Sequence, residues 1–290
     1  MSMILQQLTN GVMSGSLYAL IGLGLTLVYG VMELSNFAHG EFVMMGAYVT
    51  YFMTVSMGMN YFEALLIAAL AGVIIGVIIN ILAFDPLMKG NPINMMISSL
   101  GVSTLLVNLA QYLFTADPRK METAFTSEVI QLGPISFTQQ RLLIFVLSLC
   151  LSFAVYFIVK KTRFGSAIRA TSTDPTTAKL YGVNTEKVAL FAFIIGTTLA
   201  AVAGGLMGPS YTVSPTMGTA LTTKSFVVVV LGGMGSIPGA IAGGFIIGLI
   251  EAIGGLFSTK YVDMIVYLIL FVVLIVRPQG IFTQYRREKV

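Results

Sequence analysis

The chain opens with 32 residues that carry no charged side chain, and such uncharged apolar stretches recur along most of its 290 residues. A helix needs about 20 apolar residues to cross about 30 Å of hydrocarbon. Thr9 to Gly30, Ala64 to Phe84, Ile93 to Phe114, Leu142 to Val159 and Val188 to Gly208 each approach or meet that requirement. Leu34 to Met57 is also apolar but is interrupted by Asn36, His39, Gly40 and Glu41. Leu221 to Phe257 is too long for one span and breaks at residues 232–239, where two short helices are expected to meet. Val262 to Val276 makes a last short span. The expected fold is an all-α integral membrane protein, a single domain over residues 1–290. It has about eight transmembrane helices, some broken or re-entrant.

Composition closes the alternatives. Only 10% of the residues are charged and 56% are hydrophobic, against about 25% charged in soluble domains. That excludes an ordinary soluble enzyme and equally excludes a disordered chain. One cysteine, Cys150, and one histidine, His39, allow neither an internal disulfide nor a multi-histidine metal centre. No metal or cofactor is expected. No basic segment precedes the first apolar run, so no cleavable signal peptide is expected.

The basic residues set an orientation. Six of the sixteen Lys and Arg lie at 160–187: Lys160, Lys161, Arg163, Arg169, Lys179 and Lys187. Four more follow the last span: Arg277, Arg286, Arg287 and Lys289. Both segments are expected on the cytoplasmic side. Counting back places the 115–140 loop outside, the Lys89 turn inside and the N-terminus outside. The net charge of +4 then belongs to cytoplasmic faces and gives no reason to expect nucleic acid.

Glycines at four-residue spacing, such as Gly11/Gly15, Gly72/Gly76 and Gly244/Gly248, predict close helix packing in lipid and no chemistry. Ionisable groups at membrane depth are costly and tend to face a bundle interior or a water-filled path. Glu33 and Glu63 read as span ends. His39 and Glu41 flank Gly40 in a polar break, which suits either a path lining or an interhelical hydrogen bond. Residues 36–46 and 236–244 each open with a polar break and continue as a Gly-rich helix. Read as counterparts, they form an internal repeat of the kind that points to a transport path. Two other patterns stay incomplete. Gly218 to Ser225 has Thr223 where a phosphate-binding loop needs its second glycine. Gly233 to Gly239 has Pro238 where a dinucleotide fingerprint needs its third.

The longest polar stretch suits a short helix. Asp174 is a good N-cap, Pro175 fits the first helical position and Gly182 fits the C-terminal cap. A helix this short is marginal alone and needs a partner surface. It either lies on the membrane and bundle or inserts into a cytoplasmic protein.

Three motifs in order resemble the high-affinity branched-chain amino acid ABC transporter permeases, the smaller of the two permease subunits. They are Asn36-Phe-Ala-His-Gly-Glu41 with Met45-Gly-Ala-Tyr48, the loop from Arg169 through Asp174 to Gly182-Val-Asn184, and Val230-Leu-Gly-Gly-Met-Gly-Ser-Ile-Pro-Gly239. The resemblance spans essentially the whole chain. It implies an inner-membrane importer subunit with no catalytic residue of its own. It further implies a second homologous permease, two cytoplasmic ATP-binding subunits, and a periplasmic binding protein delivering leucine, isoleucine or valine. Coupling to the ATPase would fall to Arg169, Asp174, Pro175, Ala178, Lys179, Leu180 and Gly182. Only Ala178 stands in register with the paired alanines of the wider importer signature. The translocation path would be lined by Asn36, His39, Gly40, Glu41, Gly233, Gly235, Ser236, Pro238 and Gly239. The competing expectation is an ion-coupled secondary carrier for small polar or amino-acid solutes, acting alone through groups such as Glu41, His39 and Glu251.

Overall fold

The computed structural model describes residues 2–88 and 90–282. Lys89, Arg286, Arg287 and Lys289, used above for orientation, lie outside the described residues. In chain order the helices are α1 (Ser2–Met32), α2 (His39–Tyr51), α3 (Tyr61–Ile79), α4 (Pro92–Phe114), α5 (Ala124–Ser127), α6 (Gln139–Lys161), α7 (Arg163–Thr173), α8 (Pro175–Leu180), α9 (Thr185–Met207), α10 (Met217–Gly232), α11 (Ile237–Phe257) and α12 (Val262–Val276). A two-stranded hairpin, β1 (Val129–Leu132) and β2 (Ile135–Thr138), pairs Val129 with Thr138 in antiparallel register. π-helical turns extend α2 through Phe52–Ser56 and α3 through Asn80–Phe84.

Six helices are long and apolar enough to cross a membrane, and α10 and α12 are shorter apolar helices. This agrees with the all-α membrane fold read from the sequence. The Leu221–Phe257 region divides as expected, into α10 and α11 around Gly233, which has φ +98°. Glu63 falls in the first turn of α3 and Glu33 just beyond α1, so both are span ends.

α1 is the axis of the bundle. Its most apolar window is 89% buried, against 22% for α3. With little hydrophobic force between helices in lipid, close backbone approach at small residues supplies the packing. Gly11 and Gly15 of α1 lie against Gly248 and Gly244 of α11. Gly72 and Gly76 of α3 lie against Thr197, Thr198 and Ala201 of α9. The tightest backbone approach is α9 on α2, where a Cβ on Gly204 would stand 1.8 Å from the Val43 carbonyl oxygen. That approach excludes any other residue at 204.

The two ends of the bundle differ. At one end the hairpin binds the start of α1, through Gln6 Nε2 donating to the Ser136 carbonyl at 2.6 Å. Arg119 and Val213 exchange backbone hydrogen bonds of 2.8 and 2.9 Å at this same end. At the other end lie α7, α8, the α10–α11 turn and residues 277–282. There Ile281 N donates to the Leu231 carbonyl at 2.9 Å. The 115–140 and 160–187 segments therefore sit at opposite ends, as the basic-residue pattern requires.

Candidate functional site

The polar break Asn36–Glu41 turns the chain back into the bundle after α1. Asn36 Oδ1 accepts from Ala38 N at 3.0 Å, and the Asn36 carbonyl accepts from His39 N at 3.3 Å. α2 then starts deep in the protein, with Asn36, His39 and Glu41 all at 0% exposure. His39 Nε2 lies 3.0 Å from the Ile21 carbonyl. A carbonyl only accepts, so Nε2 carries the proton. The bare Gly24 leaves room for the ring. His39 thus pins α2 to α1.

Glu41 faces elsewhere. Its Oε1 accepts from Ser103 Oγ of α4 at 3.0 Å and from Thr219 Oγ1 of α10 at 3.4 Å. Its Oε2 has no hydrogen-bond partner and packs over Gly218, where a Cβ would stand 1.8 Å away. Gly40 beside it donates from its backbone N to Thr222 Oγ1 at 2.9 Å. Three helices therefore converge on one carboxyl group. It sits in the first turn of α2, where the helix dipole favours a negative charge.

Two polar helical faces, one on α4 and one on α10, were not singled out by the sequence reading. Thr104, Asn108 and Gln111 of α4 are exposed, as are Thr216, just before α10, and Thr219 and Thr223 of α10. Asn108 Nδ2 donates to the Thr104 carbonyl at 2.7 Å, and Thr223 Oγ1 to the Thr219 carbonyl at 3.1 Å. The spacing of three and four residues puts each set on one helical face. That spacing was readable in the sequence. What was not readable is that Ser103 and Thr219 bond the same oxygen of Glu41.

The structure separates the expected path residues. Gly233, Gly235, Ser236, Pro238 and Gly239 are not beside Glu41 but at the basic end. Ser236 Oγ caps α11 by accepting from Gly239 N at 3.2 Å, and Gly235 lies against Gly30 at the end of α1. The segment that faces Asn36–Gly46 across the bundle is the start of α10, not residues 236–244. Gly235, Ser236 and Pro238 instead line a cleft of about 660 Å³ together with Tyr29, Lys160 and Arg169. Glu251 is likewise not on either polar face. It accepts from Tyr18 Oη at 2.7 Å and from Lys224 Nζ at 2.6 Å, and Lys224 also reaches Asp263 at 3.3 Å.

The 160–187 segment folds as two capped helices. Thr162 Oγ1 accepts from Gly165 N at 3.0 Å to start α7, and Asp174 Oδ1 accepts from Thr176 N and Thr177 N at 3.0 and 3.3 Å to start α8. Gly182, at φ +84°, closes α8 in a left-handed turn. Gly182 N bonds the Lys179 carbonyl and Val183 N the Ala178 carbonyl, each at 3.0 Å, the pairing of a Schellman cap. Arg169 donates to the Val159 carbonyl and to Ser166 Oγ, so it joins α7 to the end of α6. Ala178 is buried, whereas Leu180 and Tyr181 are 84% and 85% exposed at the tip. Tyr181 shares the exposed tip with Leu180.

Residues 7–274 match the family described as branched-chain amino acid transport system / permease component. The chain belongs to that family. The branched-chain amino acid permease BraD of Pseudomonas aeruginosa is 35% identical, over 99% of this chain and 98% of its own. The permease LivH of Escherichia coli K12 is 35% identical, over 99% and 97%. The fructose import permease FrcC of Rhizobium meliloti is 26% identical, over 86% of this chain and 69% of its own. Among solved structures, PsaBC from Streptococcus pneumoniae in complex with Fab superposes with TM-score 0.52 at 11% identity, over 93% of this chain and 91% of that one. This last likeness concerns the fold alone. The family resemblance read from the three motifs is thereby established, as a permease subunit of the branched-chain amino acid ABC transporter family.

Proposed function

We propose that this chain is one half of the membrane pathway of an ABC importer for branched-chain amino acids in a bacterial inner membrane. A second homologous permease completes the pathway, two cytoplasmic ATPases drive it, and a periplasmic binding protein supplies leucine, isoleucine or valine. The basic end, with α7 and α8, faces the cytoplasm. The hairpin end, with the N-terminus, faces the binding protein.

The observation that carries this reading is the Leu180–Tyr181 tip. A capped, rigid helix pair holds two large apolar side chains almost wholly in the open at the basic end. α8 spans six residues and is too short to be stable alone, so a protein groove is its natural partner. Asp174, Pro175, Lys179 and Gly182 shape this element, Ala178 anchors it, and Arg169 transmits its movement to α6. The cleft beside it brings Gly233–Pro238 into the same moving end. The path itself runs along the polar faces of α4 and α10, where the second permease would cover the exposed threonines and Asn108.

The test is reconstitution. Vesicles with both permeases, the ATPases and the binding protein should accumulate leucine only with internal ATP and external binding protein. Leu180→Ser with Tyr181→Ser should abolish co-purification of the ATPases while leaving membrane insertion intact. ATPase retention by that variant would remove the docking assignment.

A further inference from the structure

We propose that Glu41, reached through Ser103 and Thr219, receives the α-ammonium group of the amino acid in transit. This deepens the transport reading and rests on it for the cargo class. A carboxyl group at membrane depth is costly unless it is paired. Glu41 is fully buried, and its hydrogen-bond partners among the described residues are two hydroxyls and no cation. Its Oε2 is bonded to nothing among the described residues.

The surroundings are shaped for a ligand group. Oε2 rests against Gly218 in the place a Cβ would take, and the neighbouring Thr219, which bonds Oε1, is exposed. Thr216 at the start of α10, Thr223 along it, and Thr104 and Asn108 on α4 are exposed polar groups that would line the approach. Hydroxyls and amides accept from an ammonium as it loses water, and the carboxyl group then supplies the charge. A primary ammonium has three donors. Oε1, Oε2 and the Thr219 hydroxyl offer three acceptors. Leu105 and Leu109, exposed on the same helix as Thr104 and Asn108, offer an apolar surface on α4 to an aliphatic side chain. A branched-chain amino acid has that pair of chemistries, an ammonium next to an isobutyl-sized apolar group.

The experiment uses the purified complex of both permeases and the ATPases in detergent, with its melting temperature read in leucine, isopentylamine or 4-methylpentanoate. Wild type should be stabilised by leucine and by isopentylamine, which keep the ammonium, and not by 4-methylpentanoate, which lacks it. Glu41→Gln keeps an acceptor for Ser103 and Thr219 but loses the charge. It should assemble normally and lose both stabilisations, and its ATP-driven leucine uptake should fall by about tenfold or more. Ser103→Ala and Thr219→Val, which leave the carboxyl group in place, should reduce uptake less and provide a second measure if Glu41→Gln assembles poorly. Protection of wild type by 4-methylpentanoate alone, protection by none of the three, or undiminished protection of Glu41→Gln would overturn the proposal. A wild-type complex that is protected by isopentylamine but shows no ATP-driven uptake would leave the ammonium site standing and defeat the importer reading instead.

Discussion

Glu41 and Glu251 both lie within the helical bundle, and the protein treats them in opposite ways. Glu251 of α11 is neutralised in place, with Lys224 at 2.6 Å, Tyr18 Oη at 2.7 Å and Asp263 sharing the same lysine. Glu41 of α2 meets only the hydroxyls of Ser103 and Thr219. The first arrangement ties α1, α10, α11 and α12 together and consumes its own charge. The second leaves a buried carboxyl group with no cation beside it among the described residues. A buried group that is fully paired serves the fold, and one that is left unpaired has a use for a passing partner.

This contrast fixes the order of expected effects. The largest loss of stability should come from Lys224→Ala, which strands Glu251. One-sided removal from a buried pair costs about 3–5 kcal/mol, and the partial exposure of this one, 21% for Lys224 and 15% for Glu251, puts the loss near or below the lower end of that range. Thermal melting of the purified complex measures it. Lys224→Met with Glu251→Leu should recover most of the loss, and a double variant as unstable as Lys224→Ala would break the structural half of the comparison. Glu41→Gln should do the reverse, leaving the melting temperature equal or higher while removing uptake.

Smaller effects belong to the α7–α8 element. Gly182→Val forces a β-branched residue to φ +84°, a strain on the order of 1–3 kcal/mol. Hydrolysis by the ATPases should continue while uptake falls, since only the shape of the tip changes. Equal loss of hydrolysis and uptake would show that Gly182 matters for assembly instead. Asp174→Ala removes the acceptor for Thr176 N and Thr177 N and should cost about 1 kcal/mol of local helix stability. Faster backbone amide exchange over residues 175–180, with little change elsewhere, is the expected readout.

How much of this was legible in the sequence depended on range. Asp174, Pro175 and Gly182 announced α8 because capping obeys local rules that a few residues satisfy by themselves. The spans were legible for the same reason, since length and apolarity suffice. His39 and Glu41 were read together because they are close in sequence, yet residues two apart on a helix do not share a face. One points to α1 and the other to α4 and α10. The Gly233–Gly239 break was visible, but its depth was not. Depth depends on how α11 lies against α1, and that follows from glycine contacts between residues far apart in the chain. Ser103 and Thr219 were passed over because single hydroxyls in apolar helices ordinarily bond their own backbone. Only packing shows that these two share a carboxylate.

Leucine uptake into proteoliposomes, measured with the chain alone and with the complete set of partners, tests the central claim most directly. Uptake that requires internal ATP, the ATPases and the binding protein, and that vanishes when Leu180 and Tyr181 are both changed to serine, is the predicted result. Uptake by this chain alone, driven by an ion gradient, would contradict it.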